Sequence, residues 1–228
     1  MYRHLTQARA FIPTLLVTGL LLPVTLLSQQ SELLDKVRSN DLEAVKALVA
    51  AGVDLNEREE FYHMTPLILA CNSNYTEVAK VLIEGGANIH LQADNGATAL
   101  IMAAMNSLEL TELLLAKGAD INARSNNGTG AFTNCTMGII SGRVGYEVAE
   151  LLLDKGAEID ELNTTDFYSG YTPLFWAVYD NNESLVKFLI EHGANVNATA
   201  KNAKTPLSLA TESGYENIAK LLKTKGGK

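Results

Sequence analysis

Gly193-Ala194-Asn195-Val196-Asn197 ends a helix-like run near the end of this chain, and five other sites carry a form of the same step. Each site is a glycine, usually Gly-Ala, and most continue with an acidic or amide residue, a hydrophobic residue and a second acidic or amide residue. The glycines are Gly52, Gly86, Gly118, Gly156, Gly193 and Gly226, at intervals of 34, 32, 38, 37 and 33 residues. A period in this range predicts a stacked repeat array. Such an array makes a long surface and seldom an active site.

A second motif stands about 20 residues before four of these glycines. Its copies are Thr65-Pro66-Leu67-Ile68-Leu69-Ala70, Thr98-Ala99-Leu100-Ile101-Met102-Ala103, Thr172-Pro173-Leu174-Phe175-Trp176-Ala177 and Thr205-Pro206-Leu207-Ser208-Leu209-Ala210. The two motifs resemble the opening and the closing of the ankyrin repeat over about residues 31–228. The resemblance implies an all-α fold, an ankyrin-repeat solenoid of stacked helix-turn-helix units with projecting β-hairpin-like loops.

The residue types that recur in the two motifs have physical reasons. A threonine hydroxyl caps the first helix, and proline suits the first helical position because its φ is already set. A glycine supplies the left-handed residue that ends the second helix. We therefore expect a leader followed by one domain of six units. The boundaries are 1–28 for the leader and 29–228 for the domain, with an N-terminal cap (31–56), repeats at 57–90, 91–122, 123–160 and 161–197, and a C-terminal cap (198–228).

The fourth unit, residues 123–160, is predicted to be irregular. Its first helix is expected near Cys135-Thr136-Met137, with Gly138 inside the helix, after an elongated loop at Ser125–Asn134. The next junction, Glu161–Tyr171, is also long. We expect two enlarged loops to account for the intervals of 38 and 37 residues. Insertions in repeat proteins commonly lie on the binding face.

The loops supply the candidate partner-binding residues. Aromatic side chains among small polar residues suit recognition, because they give a large contact area at a small entropic cost. The alternative is that these rings fold back and seal the longer loops. The candidates are Arg58, Phe61, Tyr62, Asp94, Asn95, Arg124, Asn126, Phe132, Phe167, Tyr168 and Tyr171. Trp176, the only tryptophan, takes the second leucine position of the motif and is predicted to fill the core.

The first 30 residues lie outside the repeats. They combine Arg3 and Arg9 with an uncharged, mostly apolar stretch from Phe11 to Leu27, an order typical of a secretory signal. No small-x-small cleavage site precedes Gln29, and 17 residues is the lower limit for spanning a bilayer, so an uncleaved membrane anchor is an open alternative. A third alternative is that the segment does neither. In both exported cases the repeats lie outside the cytoplasm, as a periplasmic, secreted or membrane-anchored domain.

Charge and composition exclude several functions. The net charge is −8, and the leader contributes two arginines and no acid, so the rest of the chain carries −10. Such a surface repels phosphate backbones and anionic lipids, which argues against nucleic acid and against membrane docking other than through the leader. The four histidines lack metal-ligand spacing, and no nucleophile or phosphate-binding motif is present. No cofactor or metal is expected, and the carboxylates are predicted to lie on solvated faces.

Cysteine chemistry adds nothing to this picture. Cys71 and Cys135 lie two repeats apart, which places them about 20 Å from each other when helices are spaced 8–10 Å. A disulfide needs Cα atoms about 4.4–6.8 Å apart, so we expect both thiols to stay free.

Together these features predict a non-catalytic, exported, monomeric module. It would bind a protein partner with some basic surface through its loop tips and the concave face of its first helices. A membrane-tethered structural scaffold is the alternative. An enzyme would require a set of catalytic residues in a pocket between the long loops.

Overall fold

The computed structural model describes residues 32–165 and 167–228, which form twelve helices and no strand. The predicted leader lies outside these residues. The helices are α1 (32–38), α2 (Leu42–Ala50), α3 (Pro66–Asn72), α4 (Thr76–Glu84), α5 (Ala99–Asn106), α6 (Leu108–Ala116), α7 (Ala131–Ile140), α8 (Tyr146–Asp154), α9 (Pro173–Tyr179), α10 (Glu183–Glu191), α11 (Pro206–Glu212) and α12 (Glu216–Thr224). No described helix is long and apolar enough to cross a membrane.

The helices form six stacked pairs, as the sequence predicts. The odd-numbered helices are the first helices of their units and the even-numbered ones are the second helices. Successive first helices pack more closely than successive second helices do, so the first helices line the inner side of the stack. The loops between pairs project from one edge, and an isolated antiparallel bridge between Gln92 and Thr98 gives the second loop its hairpin character.

The threonines cap their helices as expected, with one exception. In three units the hydroxyl accepts a hydrogen bond of 3.2–3.3 Å from the backbone N–H three residues later; these are Thr65, Thr98 and Thr205. Thr172 is also an N-cap residue by position, but its buried hydroxyl has no hydrogen-bond partner within the described chain. Proline occupies the first helical position in α3, α9 and α11.

Left-handed residues recur at the helix end and in the projecting loop of successive units, and also in the turn between the two helices of most units. All six closing glycines have φ between 76° and 94°, which confirms their role as helix-ending residues; they are Gly52, Gly86, Gly118, Gly156, Gly193 and Gly226. A second left-handed residue lies two positions before the helix cap in each projecting loop. That position holds His63, Gly96, Gly128, Gly170 and Ala203. The loop chain therefore turns the same way in each unit, even where the residue is not glycine.

The core is a continuous ladder of aliphatic pairs on the second helices. The two members of each pair are four residues apart, on one helical face, and they are fully buried; the pairs are Val78 and Leu82, Leu110 and Leu114, Val148 and Leu152, Leu185 and Leu189, and Ile218 and Leu222. Burying one such side chain contributes about 1.5–3 kcal/mol. The intervening stripe residues, such as Val81 and Phe188, are half-buried.

The predicted register of the fourth unit is wrong. Helix α7 begins at Ala131 with Gly130 as its N-cap, so Phe132 takes the position of Leu67 in the motif and is fully buried. The loop before it is of ordinary length, 12 residues from Gly118 to Gly130, as from Gly86 to Thr98. The extra residues of the 38-residue interval lie in α7, which has 10 residues, and in the turn to α8. The enlarged loop of the next unit is confirmed.

Gly138 inside α7 has a packing reason. A Cβ atom at this position would lie 2.6 Å from the carbonyl oxygen of Met105 on α5. The absence of a side chain therefore lets α7 approach α5 closely, and these two helices form the closest packed pair of the stack. An interior glycine costs about 1 kcal/mol of helix stability relative to alanine, and this contact offsets that cost.

The left-handed position of Ala203 predicts a stabilising substitution. Ala203 is exposed and has φ of 60°, a conformation that costs an L-residue about 1–2 kcal/mol but costs glycine little. We expect Ala203→Gly to raise the free energy of unfolding by about 1 kcal/mol in urea denaturation.

Ala51→Gly is the matched control. Ala51 is also exposed, but its φ is −74°, so glycine there adds only unfolded-state entropy and should destabilise by about 0.5–1 kcal/mol. Equal effects of the two substitutions would contradict the assignment of strain to Ala203.

Candidate interaction surface

A ladder of backbone hydrogen bonds joins the tips of the projecting loops. The bonds measure 2.8–3.0 Å and run from the N–H groups of Asp94, Asn126, Thr164 and Lys201 to the carbonyl oxygens of Tyr62, Asn95, Asn127 and Ser169, in that order. Each tip is thereby attached to the next along the described array. The loops form one continuous row, and the residues on it keep fixed relative positions.

Several predicted polar contacts brace this row. The Arg58 guanidinium donates to the carbonyl oxygens of His63 (3.2 Å) and Gln92 (2.8 Å). His63 Nδ1 lies 2.7 Å from a carboxylate oxygen of Asp94, and Asn126 donates from its side-chain amide to the Asp94 carbonyl at 2.7 Å. These side chains lie at the exposed tips, as expected, but their polar groups are already used between loops.

Asn95 and Arg124 are also at the row. The Asn95 side-chain oxygen accepts from the N–H of Ala97 at 3.0 Å, which shapes its own turn. Arg124 is three-quarters buried and pairs with Glu158 (2.9 Å) and Glu161 (3.3 Å) of the following loop. Both residues therefore support the loops, and Asn95 remains exposed.

The first loop presents two exposed aromatic rings on a fixed base. Phe61 and Tyr62 are 77% and 65% exposed. Behind them the buried Glu59 carboxylate accepts hydrogen bonds from the N–H groups of Tyr62 (2.7 Å) and Phe61 (3.3 Å), and Arg38 lies 3.4 Å away. Burial favours the neutral acid, but these backbone donors outweigh it and hold the pKa of Glu59 below its usual value. The two rings are thus held out toward solvent.

Glu161 replaces the missing threonine cap of α7. Its side chain is fully buried, and its two oxygens accept from the N–H groups of Gly130 (2.8 Å), Thr133 (2.9 Å) and Phe132 (3.4 Å). A carboxylate at this end also complements the helix dipole. The expectation that carboxylates lie on solvated faces is wrong for Glu161 and for Glu59, because each one accepts several buried backbone hydrogen bonds.

Two of the predicted aromatic contacts are not exposed. Phe132 belongs to the core, because α7 starts four residues earlier than expected. Tyr171 is 6% exposed and stacks on Phe175, with ring centroids 4.6 Å apart, just before the Thr172 cap. For Tyr171 the sealing alternative is correct, and both residues are removed from the exposed set.

An exposed aromatic cluster lies where the enlarged loop meets α9. We define it as Phe167 and Tyr168 of the loop together with Trp176 and Tyr179 of α9. The Tyr168 and Trp176 rings are 4.8 Å apart, and those of Trp176 and Tyr179 are 6.3 Å apart. Phe167 is 90% exposed, Tyr179 is 55% exposed and Tyr168 is 38% exposed. Trp176 packs against the core and its indole Nε1 is buried, but the residue is only half-buried, so its prediction as a core residue is met in part.

Sequence reasoning missed Tyr179. It lies three residues after Trp176 on the seven-residue helix α9, a spacing that places both side chains on one helical face. Four of the six equivalent positions on α3, α5 and α7 are apolar and half-buried, namely Leu69, Met102, Met105 and Met137, and the other two are Asn72 and Asn134. The inner face is therefore a mostly apolar stripe, interrupted by these two asparagines, that ends in the aromatic cluster.

The described residues offer little for catalysis. They contain no group of three or more His, Cys, Asp or Glu side chains placed to hold a metal ion. Cys71 and Cys135 are free and buried, and burial raises the pKa of the Cys71 thiol to about 12. A depression of about 520 Å³ lies between α11 and α12, away from the loop row, and another of about 460 Å³ lies between α1 and the first loop.

The fold and the loop row define a helical repeat solenoid whose loop tips form one continuous hydrogen-bonded edge. The family model described as ankyrin repeats in three copies matches residues 33–125 and 138–228. This chain belongs to the ankyrin-repeat family, whose domains generally mediate protein–protein interaction and are typically non-catalytic. The unmatched residues 126–137 contain the atypical start of α7.

Individual relatives agree with this assignment. The ankyrin repeat protein YahD of Escherichia coli (strain K12) is 30% identical over 83% of this chain and 92% of its own length. An ankyrin repeat protein of Borreliella burgdorferi is 42% identical over 35% of this chain, which spans a third of that relative. The crystal structure of the Bcl-3 ankyrin repeat domain superposes with a TM-score of 0.70, at 30% identity and 86% coverage of both chains.

The capping role of Glu161 predicts a large loss of stability. Glu161→Gln places an amide donor against backbone donors, and we expect it to lower the free energy of unfolding by about 2 kcal/mol or more. Glu158→Gln is the control, because Glu158 contacts the same Arg124 from an exposed position and should cost less than about 1 kcal/mol. Equal losses in chemical denaturation would contradict the capping role.

The environment of Glu57 predicts that the stability of the fold depends on pH. Burial and the nearby Asp54 carboxylate raise its pKa from 4.5 to about 7, and its buried Oε1 has no hydrogen-bond partner in the described chain. The folded chain therefore holds this proton at a higher pH than the unfolded chain does. The contribution of Glu57 to the free energy of unfolding therefore falls as the pH rises from about 4.5 to about 7.

Glu57→Gln should remove that loss. Its unfolding free energy relative to the unmodified chain should increase between pH 5 and pH 8, measured by urea titrations at each pH. Glu60→Gln, at an exposed position in the same loop, is the control and should show no such increase. A Glu57→Gln difference that stays constant with pH would contradict the shifted pKa.

Proposed function

We propose that this chain is an exported, non-catalytic module that binds a protein partner along its loop tips and the inner face of its first helices. The observation that carries the proposal is the fixed row of loops with exposed aromatic rings at two stations. One station is Phe61 and Tyr62, and the other is the aromatic cluster. Binding residues that are already held in place lose little conformational entropy when a partner binds.

The two stations have the composition of recognition sites. Tyrosine, tryptophan and phenylalanine dominate the energetics of protein interfaces, and they do so from central, packed positions. Bonded loop residues such as Arg58, Asp94 and Asn126 would contribute by keeping the stations apart at a fixed distance. In this proposal the contact residues are the exposed rings, and the polar residues are their support.

The charge of the chain favours a basic partner surface. The net charge of −8 would attract a positively charged protein and accelerate association at low salt. The same charge argues against nucleic acid as the partner. We further propose that the module acts as a monomer.

Export rests on the leader alone. Arg3, Arg9 and the uncharged stretch from Phe11 to Leu27 support a cleaved signal, and a retained anchor would make the chain a membrane-tethered scaffold instead. The mass of the mature protein separates the two. A chain that starts near Gln29 excludes the anchor, and a full-length chain recovered from the membrane fraction excludes cleavage.

Capture experiments test the binding proposal. The immobilised chain should retain a specific protein from the exported fraction at micromolar concentration. The double substitution Phe61→Ser with Tyr62→Ser should weaken capture about tenfold or more, because each lost ring removes buried contact area worth at least 1 kcal/mol. Its unfolding curve should stay unchanged, since both side chains are exposed.

The matched control is Lys187→Ser on the outer face of α10, where Lys187 is exposed. This substitution should leave capture unchanged. The proposal fails if no protein is retained specifically, or if capture depends on Lys187 and not on the loop aromatics.

A further inference from the structure

The aromatic cluster has a geometry that its structural role does not require. Tyr171 and Phe175 already seal the base of the enlarged loop by stacking on each other. Tyr168, Tyr171 and Tyr179 all contact the half-buried Trp176 indole, and of these Tyr168 and Tyr179 keep substantial exposed area. The cluster is therefore a shallow surface of partly exposed aromatic rings on the inner side of the solenoid.

Carboxylates border this surface. Asp180 follows Tyr179 directly, is exposed, and forms no ion pair within the described part of the chain. Glu212 holds the equivalent place to Tyr179 on α11, and it pairs with Lys204 next to the Tyr171 ring. Lys204 is thus neutralised by Glu212, and the exposed Asp180 adds a negative charge beside Tyr179. The whole chain has the same sign of charge.

We propose that the aromatic cluster binds an arginine side chain carried by an extended segment of a protein partner. This inference rests on the proposed function and specifies the chemistry of the partner at one station. A cation over tyrosine and tryptophan faces is attracted by the ring quadrupoles, and a carboxylate at the border adds to that attraction. Arginine fits better than lysine because its guanidinium is planar, weakly hydrated and able to stack on a ring.

Other occupants fit less well. An acidic segment would meet Asp180 and the overall negative charge. A purely aliphatic segment would contact the rings but would gain nothing from the carboxylate border. Salt screens the attraction between exposed charges but not stacking on the rings. Arginine binding should therefore weaken less at high ionic strength than binding by charge attraction alone.

The single tryptophan provides a direct readout, because tryptophan fluorescence, excited selectively over the eight tyrosines, reports on Trp176 alone. The full chain is titrated with four peptides of one design, acetyl-(Gly-Xaa)4-amide with Xaa as arginine, lysine, leucine or glutamate. We expect the arginine peptide to change the fluorescence saturably and to bind at least threefold more tightly than the lysine peptide. The leucine and glutamate peptides should bind at least tenfold more weakly than the arginine peptide.

Substitutions localise the binding. Tyr179→Leu should weaken the arginine peptide about threefold to tenfold, and Asp180→Asn should weaken it about threefold. Phe61→Leu, at the other station, is the control and should have no effect. Urea unfolding of each variant verifies folding, and Tyr179 is exposed enough to be replaced without disturbing the core. At 0.5 M NaCl the peptide should retain at least a tenth of its affinity.

Clear outcomes overturn the inference. It fails if the leucine or glutamate peptide binds as tightly as the arginine peptide, if Tyr179→Leu has no effect, or if salt abolishes binding completely. These failures differ from failure of the proposed function. If the chain captures a protein through Phe61 and Tyr62 while arginine binding is indifferent to Tyr179→Leu, only this inference is wrong. If neither station captures anything, the proposed function is wrong as well.

Discussion

The left-handed glycine at the end of each second helix is the constraint on which the whole array depends. Its φ of 76–94° ends the helix and sends the chain outward before it returns to the next first helix. Because this turn is the same in all six units, the helix pairs stack in one orientation and the loops emerge from one edge. The hydrogen-bonded row of tips is a direct consequence, since only loops that share an orientation can bond to each other in sequence.

The fourth unit shows how the array tolerates a lost motif. Gly130 has no side chain to cap α7, and the cap comes from Glu161, which is 31 residues further along. This carboxylate also pairs with Arg124, so it attaches the enlarged loop to the preceding one. The enlarged loop thus stabilises the irregular unit and at the same time presents the aromatic cluster. Tyr171 is buried against Phe175 and Trp176, whereas Tyr168 packs on Trp176 and remains partly exposed.

Much of the fold could be predicted from the sequence because its determinants are local. The closing glycines and the threonine caps act within one turn of helix, and the aliphatic stripes act within one helix. The register of α7 could not be predicted this way, because its cap comes from a distant residue that no local pattern reveals. The same limit applies to the binding surface. Phe132 and Tyr171 have the composition of exposed loop residues, and only the packing of neighbouring units shows that they are buried.

The inner face was also only partly predictable. Trp176 matches a motif position that suggests the core, yet that position is half-buried in every internal unit because the first helices line the inner side. A helical projection that paired Trp176 with Tyr179 would have indicated the exposed cluster. The partial exposure of Trp176 and Tyr179 matters for the proposed function, because it places the aromatic cluster toward the inner face and not only at the loop tip.

Hydrogen–deuterium exchange of the full chain, with and without its captured partner, tests the central claim most directly. The account predicts that binding slows exchange in the projecting loops, above all around Phe61 and Tyr62, and in the first helices near Trp176. Exchange in the second helices α4, α6, α8 and α10 should stay the same. Protection confined to those second helices, with none in the loops, would contradict it.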